Sequence, residues 1–454
     1  MNRKRSSFSG KLGFVLSAAG ASVGLGNIWR FPYLAAKYGG GIFLLVYIIL
    51  ALTFGYSMIV AETSIGRMTG KSPVGAFHSF GKAKWLSFGG WINAIIPILI
   101  VPYYSVIGGW VIKYLIEYFA GHSKTLAGDA YFTTFISNGW STEICFIIFT
   151  LFTLGIIYAG VRNGIERVSK FMMPILIVLS LIIAVYSVTR PGAIEGVKYF
   201  LVPNFDHFSW MTVVSAMGQM FYSLSIAMGI LITFGSYMKK DTSIEKSTEN
   251  VEIFDTAIAI MAGLMIIPAV FAFSGGNAET LKSGPALMFI TIPKVFANMG
   301  FGTAIGVVFF LLVLFAAVTS SIALTESAVS TFEDELHWSR KKSTVFMGMV
   351  MLLLGTLSCL GYGPLANFKI LGMQFLDFFD FITNSVMMPI AAIATCLLVS
   401  KVVGVDKIEE EIKKDGQAFR RKKIFCFMIK YLCPLFAAII LISSVANAFG
   451  IITM

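Results

Sequence analysis

The first apolar stretch of the chain, residues 12–36, is long enough to cross a membrane but is interrupted at its centre. It reads LGFVLSAAGASVGLGNIWRFPYLAA, in which three closely spaced glycines loosen the helix. Asn27 and Arg30 then place an amide and a charge at membrane depth, and Pro32 follows them. A polar group or a broken backbone inside a bilayer costs several kcal/mol unless protein, water or an ion satisfies it. The segment is therefore a candidate binding site, and its free carbonyl and amide oxygens suit an alkali cation.

The composition of the chain is that of a membrane protein. Of its 454 residues, 57% are hydrophobic and only 13% are charged, whereas about a quarter of the residues of a soluble domain are charged. The net charge of +11 comes from basic residues between apolar stretches, so topology explains it without nucleic acid. The five cysteines lie in or beside apolar segments without metal-ligand spacing, which is typical of buried hydrophobic residues. The first apolar run is also too long for a cleaved signal peptide.

Apolar runs of membrane-spanning length predict eleven helices. They lie near residues 12–36, 41–68, 87–119, 143–161, 170–189, 211–238, 251–274, 295–332, 344–361, 370–400 and 424–450. The N-terminus and alternate loops hold Arg3, Lys4, Arg5, Lys11 and some twenty more basic residues, against about seven on the opposite side. Because cytoplasmic loops carry the excess of Lys and Arg, we predict an all-α polytopic protein of the cell (inner) membrane. Its N-terminus is then cytoplasmic and its C-terminus outside.

The connection 401–423, KVVGVDKIEEEIKKDGQAFRRKK, is the longest strongly charged stretch of the chain. Such charge runs are usually solvated. We expect a cytoplasmic helix or loop in water here rather than a site for a specific partner.

A second interrupted helix lies at residues 211–238, the sixth predicted span. Gln219, Ser223 and Ser225 are mid-span, and Ala227 and Gly229 follow them. Serines in a span often serve helix packing, and for this segment alone that reading is equally good. Broken helices at corresponding positions of two five-helix halves instead point to an inverted-repeat secondary transporter with its site at the midplane. We therefore predict one transporter domain, 1–454, with inverted repeats near 12–189 and 211–400 and an extra span at 424–450.

Several short motifs carry a resemblance to a known family. They are the string GLGNIWRFP at residues 24–32, Gly39-Gly40-Gly41, Glu62 with Gly66-Arg67, Thr319-Ser320-Ser321 and Glu333-Asp334-Glu335. Together they resemble the neurotransmitter:sodium symporter family, in order and over nearly the whole chain. That family usually has twelve spans, and this chain has eleven, as a bacterial subgroup does. The resemblance implies uptake of an amino acid by alternating access, coupled to sodium.

The resemblance implies two sodium ions and no organic cofactor. The first ion would take the carbonyl of Ser22, the side chains of Asn27, Ser223 and Asp255, and the substrate carboxylate. The second would take the carbonyls of Gly20, Val23 and Ala316 and the hydroxyls of Thr319 and Ser320. Such oxygens are hard ligands that suit a monovalent ion which must also leave. Without the resemblance, the hydroxyls of Thr319 and Ser320 would be expected to donate hydrogen bonds to backbone carbonyls in the preceding turn of their own helix.

Two departures from the family pattern bear on chloride and on the substrate. Asp255 stands where many members carry asparagine, and Ala259 stands where animal members have a chloride-binding serine and some bacterial members a glutamate. The expectation is transport that does not depend on chloride. In the sixth span, Ala227 and Met228 stand where a glycine and often a bulky aromatic residue are found.

The resemblance also implies a substrate pocket. Its residues would be Ser22, Gly24, Leu25, Gly26, Ile100, Tyr104, Tyr222, Ser223, Ser225, Met228 and Leu324. Gly24 occupies the position where monoamine carriers place an aspartate, so the substrate must bring its own carboxylate, which Tyr104 would bind. The remaining wall is apolar, which favours a hydrophobic or aromatic amino acid.

Gates on the two sides of the pocket follow from the same resemblance. Arg30 with Asp380 would form the outer gate, and Asp377 is a competing partner one turn earlier. Arg5, Asp334 and Tyr237 would close the inner path, although Arg5 by itself is also an ordinary topology signal. Glu62 is expected to hold the broken sixth span through backbone amides.

Other classes of function are kept open. A membrane enzyme is not expected, because the four histidines (His78, His122, His207 and His337) lie unclustered in loops or at span ends. A proton-coupled carrier of the same fold would need an intramembrane carboxylate, which Asp255 or Glu62 supplies. A transport-dead amino-acid sensor would lose an ion ligand. The expected partners are the amino-acid substrate and the lipid bilayer, with no nucleic acid, and no oligomeric state is predicted.

Overall fold

The computed structural model describes residues 6–275 and 284–451, and this part of the chain contains helices and no strand. Nine of its helices are long and apolar enough to cross a membrane, and one pair bent by 53° forms a tenth candidate. The predicted sixth span is present as two shorter helices. The eleven units, numbered span 1 to span 11 in chain order, are Lys11–Ser22 with Gly26–Lys37, Gly41–Thr69, Lys84–Phe119, Gly139–Tyr158, Val161–Val188, Trp210–Ser223 with Ile230–Ser236, Ile244–Ser274, Gly302–Glu335, Arg340–Leu360, Phe375–Val403 and Lys422–Ala448.

Shorter helices connect the spans. They are Pro73–His78, Ser123–Leu126, Tyr131–Ser137, Ala193–Leu201, Leu287–Ala297 and Val405–Ile412. All eleven predicted spans thus coincide with helical units of the structure, because a long apolar run has few alternatives to a helix in a bilayer.

The two broken spans lie at the centre of the molecule. Every residue in 13–29 and in 223–238 is buried, whereas the most apolar window is only 39% buried in span 5 and 33% buried in span 11. Irregular backbone is tolerated at membrane depth only where protein or a water-filled cavity surrounds it. The burial therefore explains how this chain keeps two breaks among its apolar helices.

The break in span 6 uses unusual backbone conformations. Ser225 and Ala227 have φ angles of 53° and 58°, in the left-handed region that costs a residue with a Cβ more than it costs glycine. The amide of Ala227 donates to Glu62 Oε1 at 2.6 Å, and Ser225 Oγ donates to the carbonyl of Ala21 at 2.8 Å. The expected contact between Glu62 and this span is present. These bonds hold a strained segment, which is a common property of functional sites.

The connection 401–423 is not simply solvated. Its helix Val405–Ile412 buries one apolar face and also Glu411, and Arg67 at the end of span 2 donates to Glu411 Oε1 at 2.8 Å. Burial would raise the pKa of Glu411, but hydrogen bonds from Lys414 and Lys240 and the charge of Arg67 hold that pKa below its ordinary value. The prediction of a solvated connection was therefore incomplete, because the charged stretch contains an amphipathic helix that packs against the end of span 2.

Candidate functional site

Four polar side chains from spans 1, 2, 6 and 7 meet in the buried interior. Asn27 Nδ2 donates to Asp255 Oδ1 at 2.8 Å, and Ser223 Oγ lies 2.8 Å from both carboxylate oxygens of Asp255. Tyr47 OH donates to Asp255 Oδ2 at 3.0 Å and to Ser223 Oγ at 2.9 Å. All four residues are fully buried. The result is a compact group of two hydroxyls and one amide N–H around one carboxylate, which we call the Asp255 cluster.

Ser22 joins the Asp255 cluster to the two breaks. Its Oγ donates to the carbonyl of Ala18 at 3.1 Å and to that of Leu224 at 3.3 Å. Leu224 directly follows Ser223, so the broken parts of spans 1 and 6 are in contact here. The sequence had named Ser22, Asn27, Ser223 and Asp255, and the structure brings them together.

Tyr47 was missed by the sequence analysis. It lies in the apolar run GIFLLVYIIL of span 2, where its ring packs edge-on against Phe31 with centroids 4.9 Å apart. A tyrosine inside an apolar run needs a partner for its hydroxyl. This requirement was the only indication in the sequence that Tyr47 belongs to a polar site, and it does not identify Asp255 and Ser223 as the partners.

A second polar group lies between spans 1 and 8. Ser320 Oγ is 3.3 Å from the carbonyl of Gly20, 3.1 Å from that of Ala21 and 3.4 Å from that of Val23. Thr319 Oγ1 donates to the carbonyls of its own helix at Phe315 and Ala316, at 3.0 and 3.2 Å. A Cβ on Gly20 would lie 3.1 Å from the Cβ of Thr319.

The sequence named Gly20, Val23, Ala316, Thr319 and Ser320 as one set, and the structure gathers all five. We call this group the Ser320 cluster. Thr319 also makes the bond to its own preceding turn that would be expected of it without any ion.

A small cavity of about 30 Å³ lies beside the two clusters. It is lined by Ala21, Ser22, Gly24, Leu25, Gly26, Ile100, Tyr104, Tyr222, Ser225, Met228, Ser320, Leu324 and Asn384. Ten of the eleven predicted pocket residues are in this lining, and Ser223 lies behind it in the Asp255 cluster. The lining has no charged side chain. Its volume is room for a few water molecules, so an entire amino acid needs the walls to move.

One end of the cavity is polar and closely fitted. The amide of Leu25 donates to Tyr104 OH at 3.3 Å. A Cβ on Gly24 would lie 2.7 Å from Ser320 Oγ and 3.1 Å from Tyr104 OH, and a Cβ on Gly26 would lie 2.2 Å from the ring of Tyr222. The absence of a side chain at both glycines therefore lets the backbone of span 1 approach Ser320, Tyr104 and Tyr222 this closely. The opposite wall is formed by apolar side chains.

A larger vestibule of about 530 Å³ lies on the predicted outer side of the cavity. Arg30, Asp377 and Asp380 all line it, but no ion pair joins Arg30 to either carboxylate in the described ranges 6–275 and 284–451. The guanidinium of Arg30 lies over the ring of Tyr222 at 5.2 Å.

The two carboxylates of the vestibule have different partners. Asp380 accepts from Tyr103 OH at 3.1 Å and from Asn384 Nδ2 at 2.6 Å. Asp377 accepts from Tyr362 OH at 3.1 Å. The predicted outer gate residues therefore face one space without touching.

On the inner side, Arg5 lies outside the described residues. Asp334 accepts from the amide of Ser72 at 2.7 Å. Tyr237 OH donates to Glu326 at 2.7 Å, and Arg340 pairs with the same carboxylate at 2.5 Å. Glu326 and Arg340 were not predicted, since a buried glutamate in span 8 has no local signature that names its partner.

Phe8 is a further residue that the sequence analysis missed. Its amide donates to the carbonyl of Tyr237 at 3.1 Å, and its ring is 1% exposed and packs edge-on against Phe14 and Phe234. The signal was a single apolar residue in the polar segment RKRSSFSG. Phe8 packs against the broken spans on the side that is predicted to face the cytoplasm.

The chain is similar to a known protein family and to proteins of known structure. It matches the model of the sodium:neurotransmitter symporter family over residues 5–146 and 117–451. The uncharacterized sodium-dependent transporter YhdH of Bacillus subtilis is 33% identical over 449 residues, which cover 98% of this chain and 98% of that protein. The sodium- and chloride-dependent GABA transporter 2 of Homo sapiens is 26% identical over 494 residues, which cover 95% of this chain and 78% of that protein. Among solved structures, the crystal structure of MhsT in complex with L-phenylalanine has a TM-score of 0.87 and 34% identity, covering 97% of this chain and 100% of that chain.

Proposed function

Because the chain belongs to the sodium:neurotransmitter symporter family, we propose that it carries an apolar or aromatic amino acid into the cell together with sodium ions. The observation that carries this proposal is the cavity, which is lined by Ser22 and Ser320 and has no charged side chain among the described residues that line it. A zwitterion that brings its own carboxylate complements such a site, whereas an amine finds no countercharge there.

Both clusters have the donors that a sodium ion needs. For the first ion these would be the side chains of Asn27, Ser223 and Asp255 in the Asp255 cluster, together with the carbonyl of Ser22. In the Ser320 cluster they are the carbonyls of Gly20, Val23 and Ala316 and the hydroxyls of Thr319 and Ser320. Carbonyl, amide, hydroxyl and carboxylate oxygens are hard ligands for a hard cation. We infer two sodium ions, the first of which also contacts the substrate carboxylate.

Substrate size and polarity follow from the two ends of the cavity. The carboxylate would lie against Tyr104 and the backbone at Leu25 and Gly26. The side chain would meet Met228 and Leu324, which offer no strong hydrogen-bonding group. The similar protein MhsT was solved in complex with L-phenylalanine, which supports an apolar or aromatic amino acid as the substrate.

Alternating access needs a path that closes on one side before it opens on the other. In this structure the inner side is filled by Phe8 and by the Tyr237–Glu326 hydrogen bond, while a vestibule leads from the predicted outer side to the cavity. Substrate would enter through the vestibule, and the outer gate would close over it. The distribution of basic loops supports an inner-membrane protein with a cytoplasmic N-terminus, and the broken spans 1 and 6 support the inverted five-helix repeats.

Uptake of radiolabelled amino acids by proteoliposomes tests the function. We expect accumulation of apolar and aromatic amino acids when an inward sodium gradient is applied, and none with a proton gradient alone. Uptake that follows a proton gradient without sodium would favour the proton-coupled carrier, for which Asp255 and Glu62 are the buried carboxylates. Binding without any uptake would favour a sensor.

Transport is predicted to be independent of chloride. The hydroxyls of Tyr47 and Ser223 already donate hydrogen bonds to the carboxylate of Asp255. This carboxylate supplies the negative charge that a bound chloride ion would otherwise supply. Ala259, one helical turn further along span 7, has no hydroxyl to offer. Replacing chloride by gluconate should leave the initial rate of uptake unchanged. A strong requirement for chloride, which the human relative's name states for that protein, would contradict this assignment of Asp255.

The outer gate gives a prediction with a matched control. Asp380→Ala should reduce uptake strongly but leave equilibrium sodium binding nearly intact. When the vestibule narrows in this variant, Arg30 would not meet the carboxylate of residue 380, and the charge of its guanidinium would be left unpaired. Asp377→Ala, one turn earlier and bonded to Tyr362, should have a small effect. Uptake and sodium-dependent substrate binding are measured on both variants. If Asp377→Ala is the damaging change and Asp380→Ala is silent, Asp377 is the gate residue.

A further inference from the structure

Two residues separate the inner cavity from the outer vestibule. Tyr222 and Asn384 line both spaces, and no other described residue does so. Tyr222 belongs to the predicted pocket, but Asn384 in span 10 was not part of it. Any substrate in the cavity therefore lies beneath an aromatic ring and one amide.

The orientation of the Asn384 amide is fixed by chemistry. Its Nδ2 donates to Asp380 Oδ1 at 2.6 Å and lies 3.3 Å from Tyr103 OH. The flipped amide would place Oδ1 against a carboxylate oxygen, and two acceptors at that distance repel. Oδ1 is thus directed away from Asp380.

The oxygen Oδ1 has no hydrogen-bond partner in the part of the chain that the structure describes. Asn384 Oδ1 is buried and accepts no hydrogen bond from any described residue. A buried acceptor without a donor is unfavourable, so a ligand that supplies a donor at this point gains more than it would at a solvated carbonyl. The oxygen is a ready acceptor at the boundary of the substrate cavity.

The chemistry of the cavity indicates which part of a substrate reaches Asn384. The carboxylate end is marked by Tyr104 and Leu25, and the broken backbone lies beside it. Apart from Ala21, the residues of the breaks and the Ser320 cluster, the lining also contains Ile100, Tyr222, Met228, Leu324 and Asn384. In this set only the phenol of Tyr222 and the amide of Asn384 are strong hydrogen-bonding groups.

We propose that Asn384 is a specificity-determining residue, whose amide oxygen accepts a hydrogen bond from a ring N–H or O–H of an aromatic amino acid. The indole of tryptophan and the phenol of tyrosine carry such donors, whereas phenylalanine, leucine and methionine do not. This proposal rests on the proposed function, since it assumes that the cavity takes an amino acid.

The test compares substrates that differ only in the donor. Tryptophan is paired with benzothienylalanine, in which sulfur replaces the indole N–H, and tyrosine is paired with phenylalanine. Dissociation constants are measured in sodium on the purified protein and on Asn384→Leu, which removes the acceptor at similar volume. In the unmodified protein tryptophan should bind about five- to tenfold more tightly than its sulfur analogue. In Asn384→Leu that ratio should fall to about one, and the tyrosine-to-phenylalanine ratio should fall with it.

Ser385→Ala is the matched control, because Ser385 is the next residue along the span and lines only the vestibule. It should leave both ratios unchanged. If Asn384 only supports Asp380, Asn384→Leu weakens all four ligands equally and the ratios persist, which overturns the proposal while the proposed function stands. If Asn384→Leu does not fold, equal affinities of the unmodified protein for tryptophan and benzothienylalanine overturn it. Failure of every amino acid to bind would instead refute the proposed function.

Discussion

Replacing the proposed sodium ligands is expected to abolish concentrative uptake. Each sodium ion that enters down 100 mV and a tenfold gradient supplies about 2.3 plus about 1.4 kcal/mol. Two such ions would support roughly 10^5-fold accumulation of a neutral zwitterion. Asn27→Ala removes the amide side chain that donates to Asp255 and whose oxygen is proposed to bind the first ion. The double change Thr319→Ala with Ser320→Ala removes both hydroxyls of the Ser320 cluster. Either variant should lose the accumulation, because a sodium ion that no longer binds cannot couple the free energy of its gradient to amino-acid uptake.

The measurement is the steady-state ratio of internal to external labelled amino acid in proteoliposomes, with a sodium gradient. Thr325→Ala with Thr331→Ala is the matched control for the double change. Both hydroxyls lie on the same span and bond only to their own preceding turns, at 2.7 and 3.0 Å. The control should accumulate substrate normally. Accumulation that persists in the Thr319 and Ser320 double variant would show that the Ser320 cluster is not an ion site.

The sequence was sufficient for features that depend on local composition. A run of apolar residues must form a helix in a bilayer, so each of the eleven predicted spans overlaps a helical unit, although its first residue differs by as many as nine (predicted 170, observed Val161). The breaks could be predicted too, because Asn27, Arg30 and Pro32 are conspicuous inside such a run. Apart from Tyr47, the residues around Asp255 and Ser320 were named through the family resemblance, and the structure places them together.

The remaining contacts join residues that have no local signature. Tyr47 and Phe8 sit in segments whose composition says nothing about a partner more than 170 residues away in sequence. The sequence analysis missed that part of the connection 401–423 packs against the spans, because its charged residues outnumber its apolar ones. The sequence of this connection does not name Arg67 as the partner of the buried Glu411. Asn384 was missed for a similar reason, since its role depends on Asp380 and Tyr103 fixing the amide.

The state of the gate could not be predicted either. Arg30 and Asp380 were named as partners, and in this structure they line one vestibule while bonded to other groups. A sequence specifies the residues of a gate, but a transporter must populate arrangements in which the gate is made and in which it is broken. One structure therefore shows one of these arrangements.

Amines without a carboxylate are expected to be rejected sharply. Gly24 leaves no room for a side chain that would balance an amine, because Ser320 Oγ and Tyr104 OH close the space. Tyramine and tryptamine would leave Tyr104, the Leu25 amide and the first sodium ion without their carboxylate partner. A site built around a polar partner discriminates against a ligand lacking it by orders of magnitude.

The amine test is competition against labelled uptake. Tyramine should compete roughly 10^3-fold more weakly than tyrosine, and tryptamine should stand in the same relation to tryptophan. Discrimination among leucine, methionine, phenylalanine, tyrosine and tryptophan should be graded, since one methylene in an apolar wall changes binding by only about 1–3 kcal/mol. Met228→Phe should disfavour the largest side chains while leaving the rejection of amines intact, because it alters the apolar wall and not the carboxylate end. Effective inhibition by a simple amine, or a preference for glutamate or lysine, would mean that the cavity supplies a charge that its lining does not contain.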